Sequence, residues 1–188
     1  MAAPPHSLVI RESQRAAIGE LTVRPVPHVA FKTGIAERFV AWLSTTSRQS
    51  LTVIPGRDPP DFLIEPQLWL EVSDIYLNNA QAKFLNSPNE ENFSFEGSPD
   101  QLARRLLDKL DEKLGKTSYQ KIHDERGQGI LLLTCQDFFF DEVIRARLRE
   151  ALAAFRPRND RGFFRTAYFE YTLPTAKRVY DVIYSPMA

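Results

Sequence analysis

The most regular hydrophobic pattern in the chain lies at residues 98–114, where Leu102, Leu106, Leu110 and Leu114 recur every four positions and Ala103 and Leu107 widen the stripe. That spacing predicts an amphipathic helix. Ser98 stands at the N-cap position, Pro99 at the first helical position and Gln101 at the capping-box position, and Gly115 ends the pattern. A second helix is predicted at 141–155, with Val143, Ile144, Leu148, Leu152 and Phe155 facing inward. A third is predicted from Thr33 as N-cap to about Ser47, with Ile35, Phe39, Trp42 and Leu43 on one stripe.

Other segments carry the pattern of strands. Residues 49–54, 61–65 and 68–76 read as extended pieces, separated by the turn Pro55-Gly56-Arg57-Asp58-Pro59-Pro60 and by Pro66-Gln67. Alternation along the third piece sends Leu68, Leu70 and Val72 to one face and Trp69, Glu71 and Ser73 to the other. The unbroken apolar run at 130–134, bounded by Gly127 and Gly129, predicts a strand buried on both faces. Two further strands are predicted at 163–173 and 179–184. Near the N-terminus 8–10 and 21–26 read as short strands, and Pro25 and Pro27 keep the latter out of a central ladder. Residues 77–97, rich in Asn, Ser, Pro and Glu, read as a long loop with one short helical turn at 80–85. The chain thus divides into an N-terminal extension with short strands (1–32) and a single α/β domain (33–188), a mixed central sheet flanked by helices on both faces.

Composition narrows the function classes. At 43% hydrophobic and 26% charged the chain is globular in type rather than disordered. The 24 basic and 24 acidic residues cancel, which argues against a constitutive basic coat for nucleic acid or membrane but leaves room for a local basic groove. Cys135 is the lone cysteine, so an internal disulfide and a Cys-based zinc site are both excluded. With no apolar run near the roughly 20 residues of a membrane span, and no signal-peptide core in the first residues, a cytoplasmic protein is expected. His6, His28 and His123 follow no metal spacing, and the phosphate-binding and nucleophile-elbow motifs are absent.

The arrangement with chemical meaning is a pair of carboxylates. Asp61 opens one strand and Glu71 lies in the middle of the next. In a hairpin these two would converge, and two carboxylates held together call for a cation. Mg2+ or Mn2+ suits all-oxygen ligation by one or two carboxylates plus water, and can activate water against a phosphodiester. The competing readings are ordinary: Asp61 as a turn residue, Glu71 on a solvated sheet face.

The residues Pro60-Asp61, then Glu71-Val72-Ser73 after Leu68-Trp69-Leu70, together with Glu37 on the preceding helix, resemble the PD-(D/E)xK superfamily of restriction-endonuclease-like nucleases over about residues 33–155. The resemblance implies a metal-dependent endonuclease that hydrolyses DNA, with Asp61 and Glu71 as metal ligands and Glu37 as a further ligand or water-positioning group. Many members of that superfamily are dimers, so a homodimer is within what it implies. The family's motif lysine is replaced here by Ser73. In some members that lysine comes from the following helix, where this chain carries Lys109, Lys113 and Lys116; the resemblance points to Lys113, then Lys116, as the group that activates water. The same three lysines could equally form an exposed edge paired with Asp108 and Glu112. The alternative function is a catalytically inactive member of the fold, or an interaction protein. It would bind a protein or nucleic-acid partner through 77–97 or through the stretch Arg145, Arg147, Arg149, Arg156, Arg158, Arg161 and Arg165, with Phe155, Phe163 and Phe164 between.

Overall fold

The computed structural model describes residues 28–76 and 98–186, which form an α/β fold of six strands and four α-helices. The order is α1 (His28–Ser47), β1 (Thr52–Pro55), β2 (Phe62–Glu65), β3 (Leu68–Asp74), α2 (Pro99–Gly115), a 3-10 turn (Thr117–Tyr119), α3 (Gln120–Arg126), β4 (Gly129–Phe139), α4 (Glu142–Ala154), β5 (Phe164–Thr172) and β6 (Arg178–Tyr184). The strands lie in sequence order in one mixed sheet. β1, β2 and β3 pair antiparallel as a meander, β3, β4 and β5 run parallel, and β6 returns antiparallel along β5. The two parallel pairings need crossovers, and α2 with α3, then α4, supply them.

Two cores follow from the alternation of side chains. On one face Leu70, Val72, Ile130 and Leu132 meet Ile35, Ala36, Phe39 and Val40 of α1. On the other Trp69, Leu131, Leu133, Ala167 and Phe169 meet the leucine stripe of α2 and Ile144 and Leu148 of α4. Residues 130–133 of β4 feed both cores alternately, which explains their uninterrupted apolar run. The capping box expected at Ser98 is present: its Oγ accepts from the Gln101 amide at 3.2 Å, and the Gln101 side chain accepts from the Ser98 amide at 2.9 Å.

Several expectations change. α1 starts at His28, so Thr33 is an interior residue rather than the N-cap, and the first turn lies inside the segment assigned to the extension. The Thr33-Gly34 pair has the local preference of a helix start, yet the helix runs through it from His28. Val143 is 57% exposed, because Asp141 caps α4 in a phase that turns Ile144 and Leu148 inward instead. α3 and the 3-10 turn before it were not anticipated. The short strands at 8–10 and 21–26 and the loop at 77–97 lie outside the described residues. Among the described residues no helix is long and apolar enough to cross a membrane.

Candidate functional site

The β2–β3 hairpin decides where the two carboxylates stand. Its register pairs Phe62 with Leu70 and Leu63 with Trp69, so continuing it by one residue sets Asp61 opposite Glu71. Cross-strand neighbours of this kind hold their Cβ atoms about 4.5–5.5 Å apart on one face. Asp61 is tied there twice by backbone. Its Oδ2 accepts from the Val72 amide at 2.9 Å, and its carbonyl accepts from the Gly56 amide at 2.8 Å. The turn closes so tightly that a Cβ at residue 56 would lie 2.2 Å from the Pro60 carbonyl oxygen, so glycine is required there.

Glu71 lies mid-strand, 3% exposed, between Asp61 and Leu131 of β4. Its Oε1 accepts from Lys113 Nζ at 2.7 Å and from the Tyr119 hydroxyl at 2.9 Å. Lys113 sits in the last turn of α2 beside Leu110 and Leu114, so the leucine stripe that packs the helix also delivers the ammonium to the sheet. Tyr119 is carried by the 3-10 turn and stacks on Trp69, with Phe164 edge-on. Trp69 is itself fixed by its indole N–H, which donates to the Gly127 carbonyl at 2.8 Å. A Cβ on Gly129 would come within 2.3 Å of that indole.

The electrostatics are those of a crowded, dry pair. Burial, then the Glu71 carboxylate beside it, pushes the Tyr119 hydroxyl far above the ordinary tyrosine range, and Asp61 adds in the same direction. Tyr119 therefore stays a neutral donor. Asp61 is offset by Lys32 of α1, whose Nζ lies 2.8 and 3.0 Å from its two oxygens. Glu71 Oε2 is different: it is buried, and among the described residues no donor reaches it. A buried carboxylate oxygen without a donor is costly, and a bound cation is one remedy.

The structure thus brings Asp61, Glu71 and Lys113 together and leaves two candidates apart. Glu37 is exposed on the solvent side of α1, and among the described residues it has no hydrogen-bond or ion-pair partner. Lys116 is exposed, its Nζ 5.6 Å from the centre of the Tyr119 ring and not on a carboxylate. Lys109 pairs with Glu112 on the surface at 2.6 Å. Ser73 is half-buried two residues beyond Glu71, on the face its alternation implies. The arginine stretch is largely spoken for: Arg145 and Arg149 meet Glu142, Arg147 meets Glu150 and Arg158 meets Asp111. Phe163 and Phe164 are core residues and cannot stack on bases. Sequence reasoning missed Lys32 and Tyr119. Lys32 was placed outside the domain, and Tyr119 had one signal, an aromatic residue isolated in a polar run before a buried strand.

A divalent cation would find two carboxylates here; among the described residues no group of three or more His, Cys, Asp or Glu lies together. That donor set fits Mg2+, which is held through one or two carboxylates and keeps several waters. Comparison with family models, with curated proteins and with solved structures gives no match.

Proposed function

We propose that the protein is a divalent-cation-dependent nuclease that hydrolyses DNA phosphodiester bonds on a restriction-endonuclease-like fold. The observation that carries this is the meeting of Asp61, Glu71 and Lys113 around a buried carboxylate oxygen that, among the described residues, no donor satisfies. Asp61 and Glu71 would hold Mg2+ or Mn2+, which when bound supplies a Lewis acid and a water of lowered pKa. Lys113 Nζ lies next to that position, 2.7 Å from Glu71 Oε1, where it can donate to the attacking water or to a non-bridging phosphoryl oxygen. It does from α2 what the absent motif lysine at position 73 would do from the strand. Tyr119 holds the Glu71 carboxylate in one orientation by its hydroxyl. The two lysines cancel the two carboxylates, so the approach of a phosphodiester is not repelled.

Supercoiled plasmid incubated with the purified protein and Mg2+ or Mn2+ is expected to be nicked, and Asp61→Ala to abolish nicking. Equal rates in mutant and wild type would assign the activity elsewhere. One observation favours the second reading, a non-catalytic interaction protein: all four charged side chains are already paired with one another. Calorimetry separates the two, since no heat on titrating Mn2+ into the protein supports the non-catalytic form.

A further inference from the structure

We propose that Lys32 is a built-in counter-ion that competes with the divalent cation for Asp61, so that cation affinity is set from α1 as well as by the carboxylates. This rests on the cation-binding reading above. The ammonium of Lys32 straddles both Asp61 oxygens, at 2.8 and 3.0 Å, which is the position a cation ligated by that carboxylate would need.

The two lysines of the site are not equivalent. Lys113 has a side chain 9% exposed, walled in by Leu110 and Leu114 on a helix buried against the sheet. It has nowhere to go. Lys32 has a side chain 19% exposed and approaches from the rim. Its backbone is fixed, because Ile35 and Ala36 in the next turn are fully buried. Its four-carbon stem can nonetheless swing into water by rotamer changes alone. Asp61 would not lose its orientation on release, since the Val72 amide still donates to Oδ2. Displacement of Lys32 therefore requires no movement of helix or sheet.

Charge gives the sign of the effect. Two carboxylates and two ammoniums sum to zero, so a divalent ion enters a neutral site and must displace a cation to reach Asp61. Without Lys32 the remaining three groups sum to minus one. A hydrogen bond to a charged group is worth enough that its removal from the competition should tighten the cation by about tenfold or more.

The test is Mn2+ titration of the full chain by calorimetry and by the loss of the free-ion paramagnetic resonance signal. Lys32→Met should bind Mn2+ at least about tenfold more tightly than wild type, and Lys32→Arg, which keeps the charge and grips a carboxylate bidentately, should bind no more tightly than wild type. Adding Asp61→Asn to Lys32→Met should remove the gain. If Met costs the fold, as judged by circular dichroism, Lys32→Gln takes its place. Equal affinity in Lys32→Met and wild type overturns the role of Lys32 and leaves the cation site standing. A gain that survives Asp61→Asn places the ion elsewhere and also overturns it. No Mn2+ bound by any variant overturns both this role and the cation reading.

Discussion

Among the described residues two carboxylates are buried in this sheet, Glu71 on β3 and Glu170 on β5, and they are satisfied in different ways. Glu170 is fully buried on the α1 face, and both of its oxygens are engaged. Oε1 accepts from Arg178 at 2.9 Å and Tyr180 at 3.2 Å, with Arg38 at 3.8 Å, and Oε2 accepts from Thr134 at 3.0 Å. The cluster ties α1, β4, β5 and β6 together. Glu71 is buried on the opposite face with a lysine and a tyrosine on one oxygen and no protein donor, among the described residues, on the other. Burial with a basic partner is common to both and so distinguishes nothing. What differs is completeness. A saturated carboxylate is a structural tie, whereas one with a spare buried oxygen beside a second carboxylate has coordinating capacity left over.

The sharpest way to break that contrast is a matched pair of amide substitutions. Glu71→Gln keeps an oxygen for Lys113 and Tyr119 but removes the charge at the spare position. Plasmid nicking with Mg2+ is expected to fall by more than about 100-fold, as when a preorganised transition-state contact is lost, while circular dichroism remains native. Glu170→Gln should do the reverse. Its arginines are 40% and 42% exposed and can rehydrate, so the loss is about 2 kcal/mol, or a Tm lower by about 4–8 °C for a domain of this size. Nicking per folded molecule should be unchanged. If Glu170→Gln loses nicking and Glu71→Gln loses only stability, the roles of the two regions have been assigned backwards.

A smaller effect is expected at the neutral donor of the Glu71 cluster. Tyr119→Phe keeps the packing on Trp69 and Phe164 and deletes the hydroxyl that Glu71 accepts, which costs about 1 kcal/mol. The pH dependence has a definite sign. The folded-state pKa of Tyr119 is raised, by burial first and by Glu71 second, so its neutral form is favoured by folding. That stabilisation is complete below the unfolded tyrosine value of about 10 and drains away as pH rises above it. Thermal melts of wild type and Tyr119→Phe should accordingly lie furthest apart near pH 8 and approach one another by pH 11. Melting curves that stay parallel over that range would show that the hydroxyl is not held as described. The other raised tyrosines, including Tyr180 at about 12, are common to both proteins and cancel in the difference.

How much of this was legible in the chain follows from the range of the forces involved. The leucine stripe of α2 and its capping box are local, and they read directly from the spacing of Ser98, Pro99, Gln101 and the leucines. The apolar run of β4 was legible because a strand with two cores leaves no polar position. Glu71 stood out as a charge between Leu70 and Val72, and Asp61 as the residue one step beyond a proline-rich turn. Their being opposite is a matter of hairpin register, which one residue of slip would have destroyed. Tyr119 and Lys32 were not legible, because each reaches the site across a long sequence separation, 48 and 29 residues from its partner. The start of α1 was misread because Thr33-Gly34 carries a local signal for a beginning, whereas the helix already runs from His28. Glu37 was placed by analogy of position, and the phase of α1 turns it to solvent.

The three lysines on and after α2 give the finest version of the comparison. Lys109, Lys113 and Lys116 follow at spacings of four and three, so one helical edge offers three ammoniums of the same chemistry. Only Lys113 faces the sheet. Lys109 holds Glu112 in a surface pair worth a few tenths of a kcal/mol at about 0.3–0.5, and Lys116 lies over the Tyr119 ring, an exposed cation–π contact of about 0.5–1 kcal/mol. Lys109→Ala should therefore lower Tm by no more than about 1–2 °C and leave nicking unmoved, and Lys116→Ala should lower Tm by about 1–4 °C with nicking within about fivefold of wild type, an upper limit set by that same contact energy. Lys113→Met should lose nicking while its aliphatic stem still fills the gap between Leu110 and Leu114. Glu71 would then keep only the Tyr119 hydroxyl on Oε1. A Lys116→Ala protein as inactive as Lys113→Met would mean that the helix delivers its charge from the far side of Tyr119, and that the ammonium now on Glu71 is the structural one.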